Sequence, residues 1–455
     1  MRTNALIAAL ALLAGAPAWA AGSAADHPRL HRIAGEISAA ELHAAIARLV
    51  GFGTRHTLSD TRSDTRGIGA ARQWVKARFT AIGQACGGCL QLATPSEVVT
   101  GERVPTPTEV MDVLAVQRGS ADPDRVVIIS GHLDSRVSDP MNAKSDAPGA
   151  NDDGSGVAAV LESARVLSRY RFPATIVYAV LSGEEQNLYG GAILARYAKD
   201  QGWKVEADLN NDIVGNTHGQ SGVVDDSHVR VFSEGTKATE TPAQADRRRY
   251  NGGEVDSPSR NLARFIDGLA DRYLRGLQVR MVYRTDRYSR GGDQVRMLEG
   301  GYPAVRLTEA AENYTRQHQD VRTEGGIAYG DVLSGVDVPY LAQVTRLNAV
   351  SLAALASAPA PPMEVKIAGA VSPDTTLSWT LSPGAAGYIV WRRDTTAPLW
   401  QESRSAGPAT SLTLKGVVID DWFFGVSAVS ADGYESPVEF PGPAGAFFGA
   451  TAPAR

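Results

Sequence analysis

Two runs of unbroken apolar, β-branched residues constrain this chain more than any other feature. Residues 125–130 (RVVIIS) and 174–181 (ATIVYAVL) lack the polar alternation of a strand with one wet face. They read as strands buried on both sides, the pattern of a covered parallel sheet. Between them, Val157, Val160, Leu161, Ala164 and Leu167 fall at helical spacing within 154–169 and make an inward stripe. Further expected elements are a helix at 190–199, strands at 207–214 and 302–307, and a closing helix over 329–356. Strand–helix alternation predicts a three-layer α/β/α unit with a mostly parallel sheet.

Ahead of the first strand, residues 26–79 read as mostly helical. Ser38-Ala39-Ala40-Glu41 has the spacing of a capping box. Gly67-Ile68-Gly69 begins like a dinucleotide fingerprint but lacks its third glycine and a preceding strand, so it reads as a helix start. Residues 233–259 are polar, contain Arg247-Arg248-Arg249, and are expected to form a surface insertion, with a lid over the site as a further option.

The N-terminus carries Arg2, an apolar run at 6–13 and a small-x-small sequence at Ala18-Trp19-Ala20. This is the pattern of a signal peptide over 1–20. It predicts an exported chain, periplasmic or secreted, with a catalytic unit over 21–357. No later stretch is apolar enough for a membrane helix of ~18 residues. Lys+Arg total 45 against Asp+Glu 50, a net charge of −5. That balance gives no bulk reason to bind nucleic acid or an anionic membrane.

Cys86 and Cys89 are the two cysteines. No second CxxC exists to complete a zinc ribbon, and nothing nearby reads as a redox fold. A local disulfide is the favoured reading for an oxidising compartment.

An Ala/Pro-rich linker at 358–363 ends the α/β pattern. Beyond it, over 364–455, short alternating segments at 376–379, 387–392, 411–414 and 422–429 are separated by turn residues. They predict an all-β sandwich. Trp379, the Gly-Tyr-x-Val-Trp segment and the late Val-Ser-Ala-Val segment resemble a fibronectin type III module. Partner binding, to a protein or polymer surface, and a spacer role are both open for it.

Four polar patterns follow buried strands, where open α/β sheets place their ligands. His132-Leu133-Asp134 offers an imidazole with a nearby carboxylate to orient it. Asn151-Asp152-Asp153 precedes a helix, where the acids could be mere caps or could grip a cation. Glu184-Glu185 places two carboxylates where burial is costly unless something neutralises them. Asn210-Asn211-Asp212 closes the third strand. His318 is the candidate last ligand, with His218 and His228 as substitutes. His, Asp, Glu, Asp and His form a nitrogen/oxygen set suited to zinc, without thiolates.

HLDS, then APGANDDGSG, then SGEEQNLYGG, in this order and spacing, resemble the co-catalytic di-zinc aminopeptidases, of which the bacterial leucyl aminopeptidases are typical. The resemblance spans about residues 30–355. It implies a phosphorylase/hydrolase-like fold, two zinc ions and peptide substrates with a free N-terminus. Carried over by position, it implies one zinc on His132, Asp152 and Asp212 and the other on Asp152, Glu185 and His318. Asp152 would bridge, Asp134 would orient His132, and Glu184 would be the general base for hydrolysis by a metal-bound hydroxide. The chain departs from the family in Tyr-Thr-Arg-Gln-His, where many members have Tyr-His. It also has Gly292-Asp293-Gln294 where many have Ser-Asp-His. Carboxypeptidase, glutaminyl-cyclase and non-catalytic binding roles are the alternatives. A serine hydrolase lacks support, since no Gly-x-Ser-x-Gly elbow occurs.

Overall fold

A computed structural model describes residues 19–21 and 25–448. The expected signal peptide lies outside these residues except for Trp19 and Ala20, and the last seven residues also fall outside.

The central sheet has eight strands. In spatial order they are Gln278–Val282, His228–Phe232, Ala304–Glu309, Lys204–Asn211, Asp122–His132, Ala174–Leu181, Val113–Gln117 and Leu90–Ala93. Asp122–His132 pairs in parallel with both neighbours, and Ala304–Glu309 runs parallel to Lys204–Asn211. The pairings that flank this parallel centre, to His228–Phe232 and to Val113–Gln117, are antiparallel. Every residue of Ala174–Leu181 is buried, because both faces are covered.

The two covers are unequal. Six helices lie on one face: Pro28–Gly35, Ala39–Val50, Gly67–Ala85, Gly154–Leu167, Pro258–Tyr273 and Val338–Ser357. They bury Val127, Ile129, Ile176, Tyr178 and Val180. Among the described residues, only the helices Tyr189–Asp200 and Gln294–Glu299 cover the other, over Val126, Ile128, Val177 and Leu181. The architecture is the three-layer α/β/α unit followed by an antiparallel sandwich.

Several boundaries differ from the sequence reading. The third central strand is Lys204–Asn211, so Asp212 stands just past its end. The closing helix begins at Val338, not 329. A strand at Ile327–Tyr329 and a 3-10 turn at Leu333–Gly335 come first, and Asp337 then caps the helix by accepting from the Tyr340 N–H. Only half of the Ser38 capping box forms. Its hydroxyl accepts from the Glu41 N–H, but its own N–H donates to Glu162 from the neighbouring helix. Cys86 and Cys89 are joined as a disulfide with Cα atoms 5.6 Å apart. Gly87 and Gly88, at φ +75° and +87°, take the left-handed turn between them.

The C-terminal sandwich packs a three-stranded sheet (Met363–Ala368, Thr375–Thr380, Ser411–Leu414) on one built from Gly387–Asp394, Glu402–Gly407 and Trp422–Val429. Ala20–Ala21 adds an edge strand to the second. Leu377, Trp379, Tyr388, Val390, Phe424 and Val426 form its core.

Residues 233–259 do not reach over the site as a lid. They form the surface on which the sandwich sits. Arg393 of the sandwich and Arg264 of the α/β unit both pair with Asp256, at 2.8 and 2.7 Å, and all three are buried. Phe423 and Phe440 press on Gly252 and Gly253; a Cβ at Gly252 would meet Phe423 at 2.4 Å. Trp400 donates to Asn261, and Lys237 to the Ala446 carbonyl.

Candidate metal centre

The polar residues picked out in the sequence converge at the carboxyl ends of the central parallel strands. His132 ends its strand, Glu184 and Glu185 follow Ala174–Leu181, and Asp212 follows Lys204–Asn211. Asp152 arrives from the loop before the Gly154–Leu167 helix, and His318 from the loop after Ala304–Glu309. His318 holds φ +52°, the left-handed region that non-glycine residues seldom occupy.

These six residues sort themselves. His132, Asp152 and Asp212 form one group of mutually close ligand atoms, and Asp152, Glu185 and His318 form a second. Asp152 belongs to both. Its Oδ1 lies 3.2 Å from His132 Nε2, and its Oδ2 lies 2.9 Å from His318 Nε2. His132 Nε2 is 3.8 Å from Asp212 Oδ1, and His318 Nε2 is 3.1 Å from Glu185 Oε1. Glu184 stands beside the groups and belongs to neither. His218 and His228 pair locally with Thr217 and Asp225 and join no group.

Asp134 divides its backbone and its carboxylate between two tasks. His132 Nδ1 lies 3.0 Å from the Asp134 backbone carbonyl and 3.7 Å from its carboxylate. The carboxylate instead accepts the N–H groups of Gly183, Glu184 and Glu185 and the Thr57 hydroxyl. It thereby fixes the turn that carries both glutamates. Asn in its place puts an NH2 group against these donors. Asp134→Asn is expected to cost about 10–100-fold in kcat/KM or zinc affinity, read by steady-state kinetics and metal analysis.

Asp153 fastens three pieces of the site. Its carboxylate accepts from the N–H groups of His132, Gly156 and Ile213. Asp331, absent from the sequence reading, accepts from Asn151 N–H and Asp152 N–H at 2.9 and 2.7 Å and so aims the shared carboxylate. Two arginines were also missed. Arg306, fully buried, lies 2.7 Å from Asp212 Oδ2. Arg136 lies 2.8 Å from Glu185 Oε2. Asp293 accepts from Gly191 N–H at 2.8 Å, at the start of the Tyr189–Asp200 helix.

Electrostatics follow from crowding acids around two imidazoles. Burial works against every charge here, yet Arg306 and His132 hold the Asp212 carboxyl down at about 2. Asp152 is likewise held well below the carboxylate range, by His318 and His132. Burial lowers the imidazoles, but Glu185 and Asp152 carry His318 up to about 10, and Glu184 leads the groups that raise His132. Glu184 goes the other way. Burial lifts its carboxyl well above the ordinary range, against His132, with Asp212 and Glu185 adding to the rise.

A cation fits this set. The donors are nitrogen and carboxylate oxygen, the preference of zinc. His132 Nε2 and Glu185 Oε1 are buried and lack a hydrogen-bond partner of good geometry, an expensive state for polar atoms. Positive charge is what the surrounding carboxylates demand.

Comparison with known proteins agrees. The sequence pattern of Peptidase family M28 matches residues 112–323. A probable zinc metalloprotease of Leptosphaeria maculans is 43% identical over 412 residues, covering 90% of this chain and 95% of that protein. One from Pyricularia oryzae is 42% identical, covering 90% and 83%. These relatives are fungal, so the bacterial likeness rests on fold. LapA aminopeptidase of Legionella pneumophila superposes with a TM-score of 0.52 at 18% identity, over 76% of this chain and 78% of its own. LapB of the same organism gives 0.51 at 18%, over 72% and 74%.

Proposed function

The chain belongs to peptidase family M28, and from that premise we propose that it is an exported aminopeptidase carrying two zinc ions. One ion is assigned to His132, Asp152 and Asp212, the other to Asp152, Glu185 and His318. The observation that carries this reading is Asp152, whose two oxygens face different imidazoles. A carboxylate in that position would be able to hold two cations at once. When bound, such ions polarise a scissile carbonyl and acidify a water toward a pKa of about 7.

The chain's own groups supply the rest. Glu184 takes the proton of the attacking water and passes it to the leaving amine. It is suited to this because it lies beside both groups, where burial pushes its carboxyl above the ordinary range. Asp134 keeps it on a fixed turn. The excess of carboxylates favours a substrate that brings a positive α-amine. The same fold in the LapA aminopeptidase is in keeping with this substrate class.

Export draws support from the sequence pattern at 1–20 and from the Cys86–Cys89 disulfide, a bond kept in oxidising compartments. Among the described residues no helix is long and apolar enough to cross a membrane. The sandwich is read as a fibronectin type III-like module.

The deciding experiment is hydrolysis of a panel of aminoacyl chromogenic amides, with zinc, with chelator, and against matched N-acetylated substrates. Chelator-sensitive cleavage confined to free amines is the expected result. Equal cleavage of the acetylated set, or none of either, rejects the aminopeptidase reading and moves weight to carboxypeptidase or cyclase chemistry.

A further inference from the structure

The thinly covered side of the central sheet also carries a hairpin. Ser96–Gly101 and Val104–Met111 pair antiparallel and join no other strand among the described residues. Glu97 sits opposite Val110, and Val99 opposite Thr108, so these four share one face. The two strands use that face differently. Val104 and Val110 are fully buried, which anchors the second strand, whereas Glu97 and Val99 of the first are only half-buried. A groove of about 560 Å³ lies between this first strand and the helices Tyr189–Asp200 and Gln294–Glu299. That is the size of a ligand site.

One end of the groove is the turn that carries the two glutamates. Asn187 and Tyr189, which follow Glu185 closely, line it. The hairpin tip is tied to the same turn. Arg103 Nη1 donates to the Glu185 carbonyl at 3.0 Å, and the Tyr189 hydroxyl donates to the Thr100 carbonyl at 3.3 Å. The hairpin wall is thereby fixed relative to Glu184 and Glu185. From the turn the groove follows the Tyr189–Asp200 helix past Ala192 to Arg196. There the Arg196–Glu97 ion pair joins the two walls and closes the far end. Tyr189 to Arg196 is a rise of about 10 Å along a helix, the span of about three residues of extended peptide.

The lining suits a peptide chain rather than a single charged group. Arg196 is matched by Glu97, and Arg296 by Glu299 at 2.9 Å. Ala192 and Gly300 keep bulky side chains out of the space. An aminopeptidase holds the first residue of its substrate at the metal centre, so the rest of the chain must leave past the rim. Resting on the aminopeptidase reading above, we infer that this groove takes the segment after the scissile bond, about three residues long. The preferred substrates are then oligopeptides rather than dipeptides, selected by length more than by charge.

The test uses the zinc-loaded full-length mature protein and C-terminally amidated peptides. Each carries the N-terminal residue that the chromogenic panel prefers, followed by one to five alanines. kcat/KM is expected to rise about tenfold from one alanine to three or four and then to level off, because binding energy from remote residues is used at the reacting centre. Val99→Phe and Ala192→Phe fill the groove from opposite walls, so that one remains informative if the other folds poorly. Each is expected to cut the ratio of kcat/KM for the four-alanine peptide to that for the one-alanine peptide about tenfold, whereas Val99→Ile keeps it. A flat length profile in wild type overturns the assignment, as does an unchanged ratio in both Phe variants. Failure to hydrolyse any free-amine substrate instead removes the aminopeptidase reading, and the groove assignment with it.

Discussion

Glu184→Gln is expected to lower kcat roughly 10²–10⁴-fold, the usual contribution of a positioned base, with zinc content unchanged. The substitution keeps the size of the side chain and removes its ability to take a proton. Glu184 is in neither ligand group, so metal analysis of the variant should match wild type. Its N–H donates to Asp134, a contact that Gln retains, so the turn should also keep its place. The two readouts together separate base from ligand. Full turnover would remove Glu184 from the chemistry. Lost zinc would make it part of the metal site.

The second large effect lies far from that centre. Asp256→Ala is expected to destabilise the folded protein by about 3–5 kcal/mol, the cost of stripping a buried charge of its partner. Two guanidiniums, Arg264 and Arg393, then face each other across the seam with the sandwich. Arg393→Met should cost less, because Arg264 still pairs with Asp256. Adding it to Asp256→Ala should recover part of the loss. Urea unfolding of wild type and the three variants measures all of these. Equal stability of wild type and Asp256→Ala would mean that water reaches the seam in solution.

Much of the site was legible because its chemistry is tied to strand ends. His132, Glu185 and Asp212 each sit at or just after a buried strand, and buried strands announce themselves by unbroken apolar runs. His318 was not legible in that way. It lies in a loop nine residues beyond Glu309, and the residues alone left His218 and His228 as substitutes for it. Arg136, Arg306 and Asp331 gave no signal. A long arginine reaches its partner across the fold, so its neighbours in sequence say nothing about its role. Arg306 even lies between Val305 and Leu307 in a strand that is buried throughout. Residues 233–259 misled for the opposite reason. Their helix Pro242–Asn251 has no buried residue, so its composition is that of a free surface. The docking is done by the glycines, the phenylalanines and Asp256 that follow or face it. The antiparallel edge strands, Leu90–Ala93 among them, are short and half-exposed, and short mixed segments carry little periodicity.

The spread of the ligands along the chain has a consequence for how the protein comes into being. His132 and His318 are separated by most of the α/β unit, and the shared Asp152 is itself aimed by Asp331. Contacts of such long range form late, since the closure entropy of the intervening loop comes first. A chain still emerging carries His132, Asp152 and Asp212 early, but the aim of Asp152 and the whole second group wait until the stretch from His318 to Asp331 has been made and docked. Under the two-ion reading, full metal loading would report that the sheet has closed around both groups.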